Sequence, residues 1–413
     1  MIKVTMLSTG EEVLHGDIQD TNSTWLSRLF FERGYALTKR STAGDNRRVL
    51  REELLMLSLN SDILIVNGGL GPTGDDLSAE IAAEVSEQSL VLFPEWLDHM
   101  KSYFEERNLT MPQNNVKQAM LPERAEIVDN PIGTACGFKV EIHGCQCYFT
   151  PGVPREFKRM IEKEILPDIE KHFTDVNSLA CHRLYTLGCS ESALEEKLNQ
   201  VTLPQGYSLG FRSYLPFIEV KLFGPRENEN EMYQLVEQLY MKVSDYTVSI
   251  DQPMLAQLSD KMQEQQKSLS LAEQSTRGWL ANWLFDDSEI YGLSGSSWVL
   301  SPKVSGKMSS QDPMAAVLAL AAATKEKSAT DLALATGSCH GNEFSVGLSS
   351  PEGEWSQKLK FRRQYTPEEQ RMIIGTIAAD MLLRYLSSKP VFRQYSSVTL
   401  EKQLYIPAQS LSV

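Results

Sequence analysis

The run Asp62-Ile63-Leu64-Ile65-Val66 ends in the glycine-rich stretch Asn67-Gly68-Gly69-Leu70-Gly71-Pro72-Thr73-Gly74-Asp75-Asp76. Four successive apolar residues read as a strand buried on both faces, as in a parallel sheet. Leu77 to Val85 reads as the helix that follows. A glycine turn thus sits at the carboxyl end of a strand and opens onto a helix, the edge where open α/β sheets bind ligands. Gly68, Gly69 and Gly71 let backbone approach a ligand closely. Free N–H groups at a helix start favour phosphate. Asp75 and Asp76 would repel phosphate unless a divalent cation stands between them, as Mg²⁺ does when held by one or two carboxylates and phosphate oxygens. A competing account makes the turn structural, with the aspartates capping the helix. Neither GK[ST] nor GxGxxG is present, so this is neither a Walker loop nor a dinucleotide fingerprint.

At 413 residues the chain exceeds what one core supports, and two or three domains are expected. A net charge of -14 argues against nonspecific nucleic-acid or anionic-membrane partners. Met1 to Leu7 turns polar too early for a signal peptide, and no run reaches membrane-spanning length. The six cysteines are scattered, so reduced thiols and a cytoplasmic location are expected. Cys145-x-Cys147 lies in an alternating pattern that puts both thiols on one face, without a second pair to make a zinc site.

Strand and helix patterns alternate through residues 1–171, which predicts a parallel sheet with helices on both faces. Lys3 to Ser8 is the first strand, and Thr9 to Gly16 again puts glycine beside acid at a strand's end. Asn22 is the expected cap of a helix running to Arg33, and Asp45 that of a helix from Asn46 to Leu57. After a helix from Phe93 to Arg107 come Pro112 to Gln118, the loop Asn130 to Phe138, and a hairpin around His143-Gly144. That hairpin leads to Thr150-Pro151-Gly152-Val153-Pro154, with Pro154 suited to a helix's first turn. Residues 172–250 read as a small α+β module whose order resembles KH-type domains. It lacks the GXXG clamp and is not basic, so it is expected to be a spacer or dimerisation unit. Residues 251–413 form a third, α/β domain, closed by a helix from Pro367 to Leu386; Ser388 to Val413 receives no element.

Taken together, the first-domain motifs resemble the CinA family. They are Gly10-Glu11-Glu12-Val13-Leu14-His15-Gly16, Asp20-Thr21-Asn22, Gly68 to Thr73 with Asp75-Asp76, Asn115 with Gln118, Asn130 with Gly133-Thr134-Ala135, and Pro151-Gly152-Val153-Pro154 with Glu156. Cys136 and Ser78 depart from the family's usual proline and threonine, and neither change removes an ionisable group. The resemblance implies a three-layer α/β/α molybdopterin-binding-type fold and a metal-dependent ADP-ribose pyrophosphatase activity. It also implies a homodimer and a cofactor of Mg²⁺, Mn²⁺ or Co²⁺, with K⁺ a further candidate. Asp75, Asp76 and Glu12 are then the candidate catalytic groups and metal ligands. Thr9, Gly10, Asn22, Gly68, Gly69, Gly71, Pro72, Thr73, Asn115, Gln118, Asn130, Gly133, Thr134, Gly152 and Glu156 are the candidate substrate-binding residues. The rival expectations are a pterin- or nucleotide-binding module without turnover, and an interaction scaffold.

The third domain resembles the family's nicotinamide-mononucleotide deamidase domain, but its motifs are eroded. The family's Glu-Ser-Cys-Thr-Gly-Gly reads Glu273-Gln274-Ser275-Thr276-Arg277-Gly278 here. Gln274 takes the place of the serine nucleophile, and an amide has no hydroxyl with which to attack. Arg277 replaces a glycine. Trp298-Val299-Leu300-Ser301-Pro302 lacks the family's tyrosine, and Thr336-Gly337-Ser338-Cys339-His340-Gly341 replaces its Thr-Gly-Ile-Ala-Gly-Pro loop. Ser275, with His340 as base, is the candidate for a displaced nucleophile. Deamidase activity is expected to be absent.

Overall fold

The computed structural model of the chain describes residues 2–174, 179–301 and 312–410. It divides into two compact units, Met1–Ala180 and Cys181–Val413.

The first unit is built on β1 (Val4–Thr9), β2 (Leu37–Ala43), β3 (Ile63–Asn67), β4 (Leu90–Leu92), β5 (Met120–Pro122), β6 (Glu126–Val128), β7 (Gly137–Ile142) and β8 (Cys145–Thr150). Its main sheet has the order β2-β1-β3-β8-β7-β6, with β4 and β5 a separate antiparallel pair. The pairs β1–β2, β1–β3 and β3–β8 are parallel. Alternation along each buried strand feeds two cores. Ile63 and Ile65 pack with Val4, Met6, Leu26, Phe30 and Phe157 on one face. Leu64 and Val66 pack with Leu7, Leu50, Leu54 and Ile81 on the other. This is the expected α/β/α sandwich. Cys145 and Cys147 do share a face, as free thiols in that second core, and burial pushes the Cys147 thiol well up. The chain runs from β1 to β2 on one side and then to β3 on the other, so the strand order reverses at β1.

Two expected helix caps are displaced, one by two residues and one by a single residue. Asp20, not Asn22, caps Thr21–Glu32 by accepting from the Ser23 N–H at 2.9 Å. Asn46, not Asp45, caps Arg47–Asn60 through the N–H groups of Arg48 and Val49. Both shifts leave a polar side chain free for the carboxyl edge of the sheet. The helix Ser78–Val85 carries no side-chain cap, so neither Asp75 nor Asp76 serves it in that way.

The second unit contains β9 (Leu179–Leu187), β10 (Ser208–Tyr214), β11 (Phe217–Pro225) and β12 (Thr247–Ile250) in a four-stranded sheet, ordered β10-β11-β9-β12. It also contains β13 (Leu269–Glu273), β14 (Ser294–Val299), β15 (Leu332–Thr336), β16 (Glu343–Ser349), β17 (Gly353–Phe361) and β18 (Val398–Pro407). These form a six-stranded sheet, β14-β13-β15-β16-β17-β18. Arg393 ties the two sheets' modules together. Its guanidinium donates to the carbonyls of Asp245 (2.9 Å) and Leu187 (2.8 Å) and pairs with the buried Asp380 carboxylate at 2.9 Å. Among the described residues no helix is long and apolar enough to cross a membrane.

Candidate functional site

A cavity of about 510 Å³ opens at the carboxyl ends of β1, β3 and β8, beside the reversal in strand order. It is lined by Thr9, Gly10, Glu12, Asn22, Gly68, Gly69, Gly71, Asp75, Asp76, Gln118, Thr134, Gly152 and Glu156 of the expected set. Pro72, Thr73, Asn115, Asn130 and Gly133 are not among the residues that line it.

Several of these residues build the site rather than face a ligand. The amide of Asn22 donates to Asn67 Oδ1 (3.0 Å) and to the Gly152 carbonyl (2.9 Å). Asn67 in turn donates to Thr150 Oγ1 and the Pro151 carbonyl. This buried chain stitches together the ends of β3 and β8, and Gly68 closes it by donating its N–H to the Thr150 carbonyl at 2.9 Å. Gln118 donates to the Leu70 carbonyl at 3.1 Å and accepts from Asn115 at 2.9 Å, which fixes the glycine turn from below. Asn130 donates to Glu156 and to the Ala135 carbonyl, both at 2.7 Å. These amides belong to the expected substrate-binding set, and each donates to another group of the protein. The Oδ1 atoms of Asn22 and Asn130 are buried without a partner.

The glycines are explained by what surrounds them. A Cβ on Gly71 would stand 2.4 Å from Asp76 Oδ2, and one on Gly133 would stand 2.2 Å from Glu156 Oε2. Gly10 has the same relation to Glu12, at 2.7 Å. Each of these carboxylates therefore lies against bare backbone. Thr73 fixes Asp76 by donating its N–H at 2.9 Å and its hydroxyl to the same oxygen. Lys117 donates to the Thr73 carbonyl at 2.7 Å and so braces the turn.

Sequence reasoning missed Asp45, Asp20 and Asn67 as site residues. Asp45 reads as a helix cap and Asp20 only as part of the Asp20-Thr21-Asn22 motif; Asn67 was signalled by a polar residue closing a buried run. Asp45 lines the cavity, and its carboxyl is pushed up by burial, aided by the charges of Glu12, Asp75 and Glu11, against the N–H it accepts from Glu11. The lining holds six acids, Glu12, Asp20, Asp45, Asp75, Asp76 and Glu156, and no Lys, Arg or His. Asp20 is occupied by Ser8 and Ser23, and Glu156 by Asn130. Asp75 is drawn below its ordinary value, chiefly by the Thr73 side chain beside it. Among the described residues no three His, Cys, Asp or Glu converge as a preassembled metal cluster.

In the second unit, Gln274, Ser275, Arg277, Ser338, Cys339 and His340 do come together, around a smaller cavity of about 180 Å³. Gln274 is buried and accepts from Ser338 Oγ at 3.0 Å. Ser275 Oγ is buried and makes no hydrogen bond to His340 or any other described residue. Glu273 is buried and holds the turn by accepting from the N–H groups of Gly278, Leu280 and Ala281. Of the Trp298 to Pro302 motif, Pro302 lies outside the described residues.

The fold and the carboxyl-edge cavity define the first unit as a molybdopterin-binding-type domain. The family described as "Probable molybdopterin binding domain" matches residues 5–171. The chain is 38% identical over 410 residues to a "CinA-like protein" of Escherichia coli strain SMS-3-5 / SECEC, covering 98% of this chain and 99% of that one. The "NMN amidohydrolase-like protein YfaY" of Escherichia coli K12 aligns with the same identity and coverage. The chain belongs to the CinA-like protein family. Solved structures similar to part of it include the CinA protein of Thermoplasma acidophilum, with 25% identity, TM-score 0.37, and 41% of this chain and 96% of that one covered. Another is MoaB of Thermus thermophilus, with 16% identity, TM-score 0.29, and 42% and 94% covered.

Proposed function

We propose that the first unit hydrolyses the diphosphate of ADP-ribose with the help of a divalent cation, giving AMP and ribose 5-phosphate. The observation that carries this reading is the lining of the cavity: acids, glycine backbone and no basic side chain. A diphosphate enters such a cavity only together with a cation that offsets the carboxylates. The donor set fits that cation. Glu12, Asp45, Asp75 and Asp76 are hard oxygen donors, of the kind that hold Mg²⁺, Mn²⁺ or Co²⁺ by one or two carboxylates plus phosphate oxygens. When bound, the metal neutralises the diphosphate and acidifies a coordinated water. The protein's own groups do the rest. The turn at Gly68 to Gly71 offers close backbone approach to the phosphates. One of the carboxylates at 12, 45, 75 or 76 takes the proton of the attacking water. The water oxygen bonds to one phosphorus, the bridging P–O bond breaks, and the departing phosphate takes up the charge. Purified protein incubated with ADP-ribose and each of Mg²⁺, Mn²⁺ and Co²⁺, with and without K⁺, tests this by chromatography of the products. Absence of AMP and ribose 5-phosphate under every condition refutes it.

A second reading, a pterin-binding module without turnover, draws on the family match over residues 5–171. Calorimetric binding of a pterin without ADP-ribose turnover would favour it. For the second unit the reading is that it does not deamidate nicotinamide mononucleotide. Gln274 fills the nucleophile's place, and no base is hydrogen-bonded to Ser275.

A further inference from the structure

The apolar part of the first cavity has no role in the diphosphate chemistry. Among the exposed large apolar side chains of the chain, Ile18 and Val153, each 52% exposed, line this cavity, and Val13 lies with them. Isolated exposed apolar residues need no explanation. Two from distant parts of the sequence meeting in one cavity, beside six carboxylates and a glycine turn, do need one. They reach it from unrelated elements. Val153 precedes the helix Pro154–Met160 and follows Gly152, whose carbonyl is held by Asn22. Ile18 belongs to the segment from Glu11 to Gln19, in which no residue is buried. That segment is held by backbone hydrogen bonds, such as Leu14 N–H to the Gly10 carbonyl and Ile18 N–H to the Glu12 carbonyl, both 3.1 Å. Its apolar side chains therefore contribute nothing to the core. Their apolar surface is left for something that enters the cavity.

We propose that Ile18 and Val153 form a clamp for the planar heterocyclic base of the ligand, setting specificity for a base-bearing substrate over a bare sugar phosphate. The proposal rests on the reading of the cavity as a nucleotide site. A flat ring covers apolar surface without needing hydrogen bonds from it, and both N–H groups of the Asn22 amide are already taken by the protein. Covering half of an Ile or Val side chain corresponds to about a fivefold to tenfold gain in affinity.

The test is calorimetric titration of the full chain and of Ile18→Ser, Val153→Ser and Ile18→Leu, with ADP-ribose, AMP and ribose 5-phosphate in the presence of Mn²⁺. The clamp requires the serine variants to bind ADP-ribose and AMP about fivefold to tenfold more weakly, with Ile18→Leu near the unmodified chain. It also requires ribose 5-phosphate binding and the melting temperature to stay unchanged. Equal losses for ribose 5-phosphate, or no loss for ADP-ribose, overturn the clamp and leave the hydrolase reading standing. If the unmodified chain binds neither ADP-ribose nor AMP, the hydrolase reading falls, and the same variants are titrated with biopterin. A serine-specific loss of biopterin affinity upholds the clamp for a different planar ring. Failure of biopterin to bind overturns the clamp as well.

Discussion

Gly68→Ala should be severe, whereas Gly74→Ala, six residues along the same turn, should be silent. Gly68 has φ +111, a conformation side chains resist, and a Cβ there would stand 2.6 Å from Thr9 Oγ1 and 2.8 Å from the Thr9 carbonyl oxygen. Thr9 has little room to retreat, because it is buried at the end of β1 with its register to Ala43 fixed. Backbone strain of about 1–3 kcal/mol adds to overpacking of about 1–3 kcal/mol, so the loss is about 2–6 kcal/mol. For a domain of this size that lowers the melting temperature by roughly 5–20 °C. At Gly74 a Cβ would meet no atom within 4 Å, and the φ is not left-handed, so its alanine should shift stability by less than about 0.5 kcal/mol. Scanning calorimetry of the full chain resolves the first unit's transition from the second's, which a single two-state fit would blur. The same two variants should separate in ADP-ribose turnover, lost in the first and kept in the second. A Gly68→Ala loss below about 1 kcal/mol, or equal effects of both variants, would refute the close-approach argument.

Other outcomes follow from the same geometry. Asp76→Asn should lower turnover by about 10²–10⁴ while leaving the melting temperature within a few degrees, since the residue is only half-buried and an amide oxygen still accepts from Thr73; unchanged product formation at saturating substrate would remove Asp76 from the chemistry. Asp45→Asn without metal should stabilise the fold near neutral pH. Its carboxyl is raised in the folded state, so its ionised form opposes folding as pH rises through the carboxylate range, and the gain should vanish in acid; a melting-temperature series against pH checks both sign and window. Arg393→Met should cost the second unit about 3–5 kcal/mol by leaving the buried Asp380 carboxylate without its cation, read as a lower denaturant midpoint. The intact chain is expected to be a homodimer, and light scattering near 46.5 kDa at micromolar concentration would contradict that. Gln274→Ser alone should release no ammonia from nicotinamide mononucleotide, and turnover by the unmodified chain that is lost in Ser275→Ala would reverse the reading of that site.

The sheet of the first unit was legible because the run at 63–66 admits burial on both faces, and the glycine turn after it marks the edge where ligands bind. What the sequence hid was the choice between neighbours of equal propensity. Asp20 and Asn22 are both good caps, as are Asp45 and Asn46, and only the approach of β8 and of Glu11 decides which is spent on the helix. The tail was unreadable for another reason. From Thr399 to Tyr405 every side chain of β18 is exposed, so no alternation betrays a strand. Its ladder of backbone pairs to β17 makes it one. β14 was hidden by Ser294-Gly295-Ser296-Ser297, a composition that reads as loop; its parallel pairing to β13 overrides it. The amides at 22, 115, 118 and 130 each donate to carbonyls or side chains of the protein itself. Spacing reveals that polar groups converge, but not whether backbone carbonyls reach them first.

The two eroded positions of the second unit, Gln274 and Arg277, flank residues that keep the turn intact, and the contrast separates what holds a site from what reacts in it. Glu273 satisfies three N–H groups at the start of the helix Trp279–Phe285, a need of any helix end buried in a core. The Thr276 and Thr336 hydroxyls meet at 2.7 Å in full burial and join β15 to the same turn. Those contacts stabilise the fold whether or not anything is turned over. Gln274 is accommodated in that turn, its side chain accepting from Ser338 Oγ at 3.0 Å. Arg277 adopts φ +53 where a glycine would be unstrained, a cost of about 1–2 kcal/mol borne without unfolding the domain. In the first unit the relation is reversed. There the carboxylates lie against glycines at Gly10, Gly71 and Gly133, so the backbone has been cleared for the sake of the charged groups. A divalent cation that binds these carboxylates in the folded chain alone would raise its stability by mass action, which a melting-temperature series with and without Mn²⁺ reads directly.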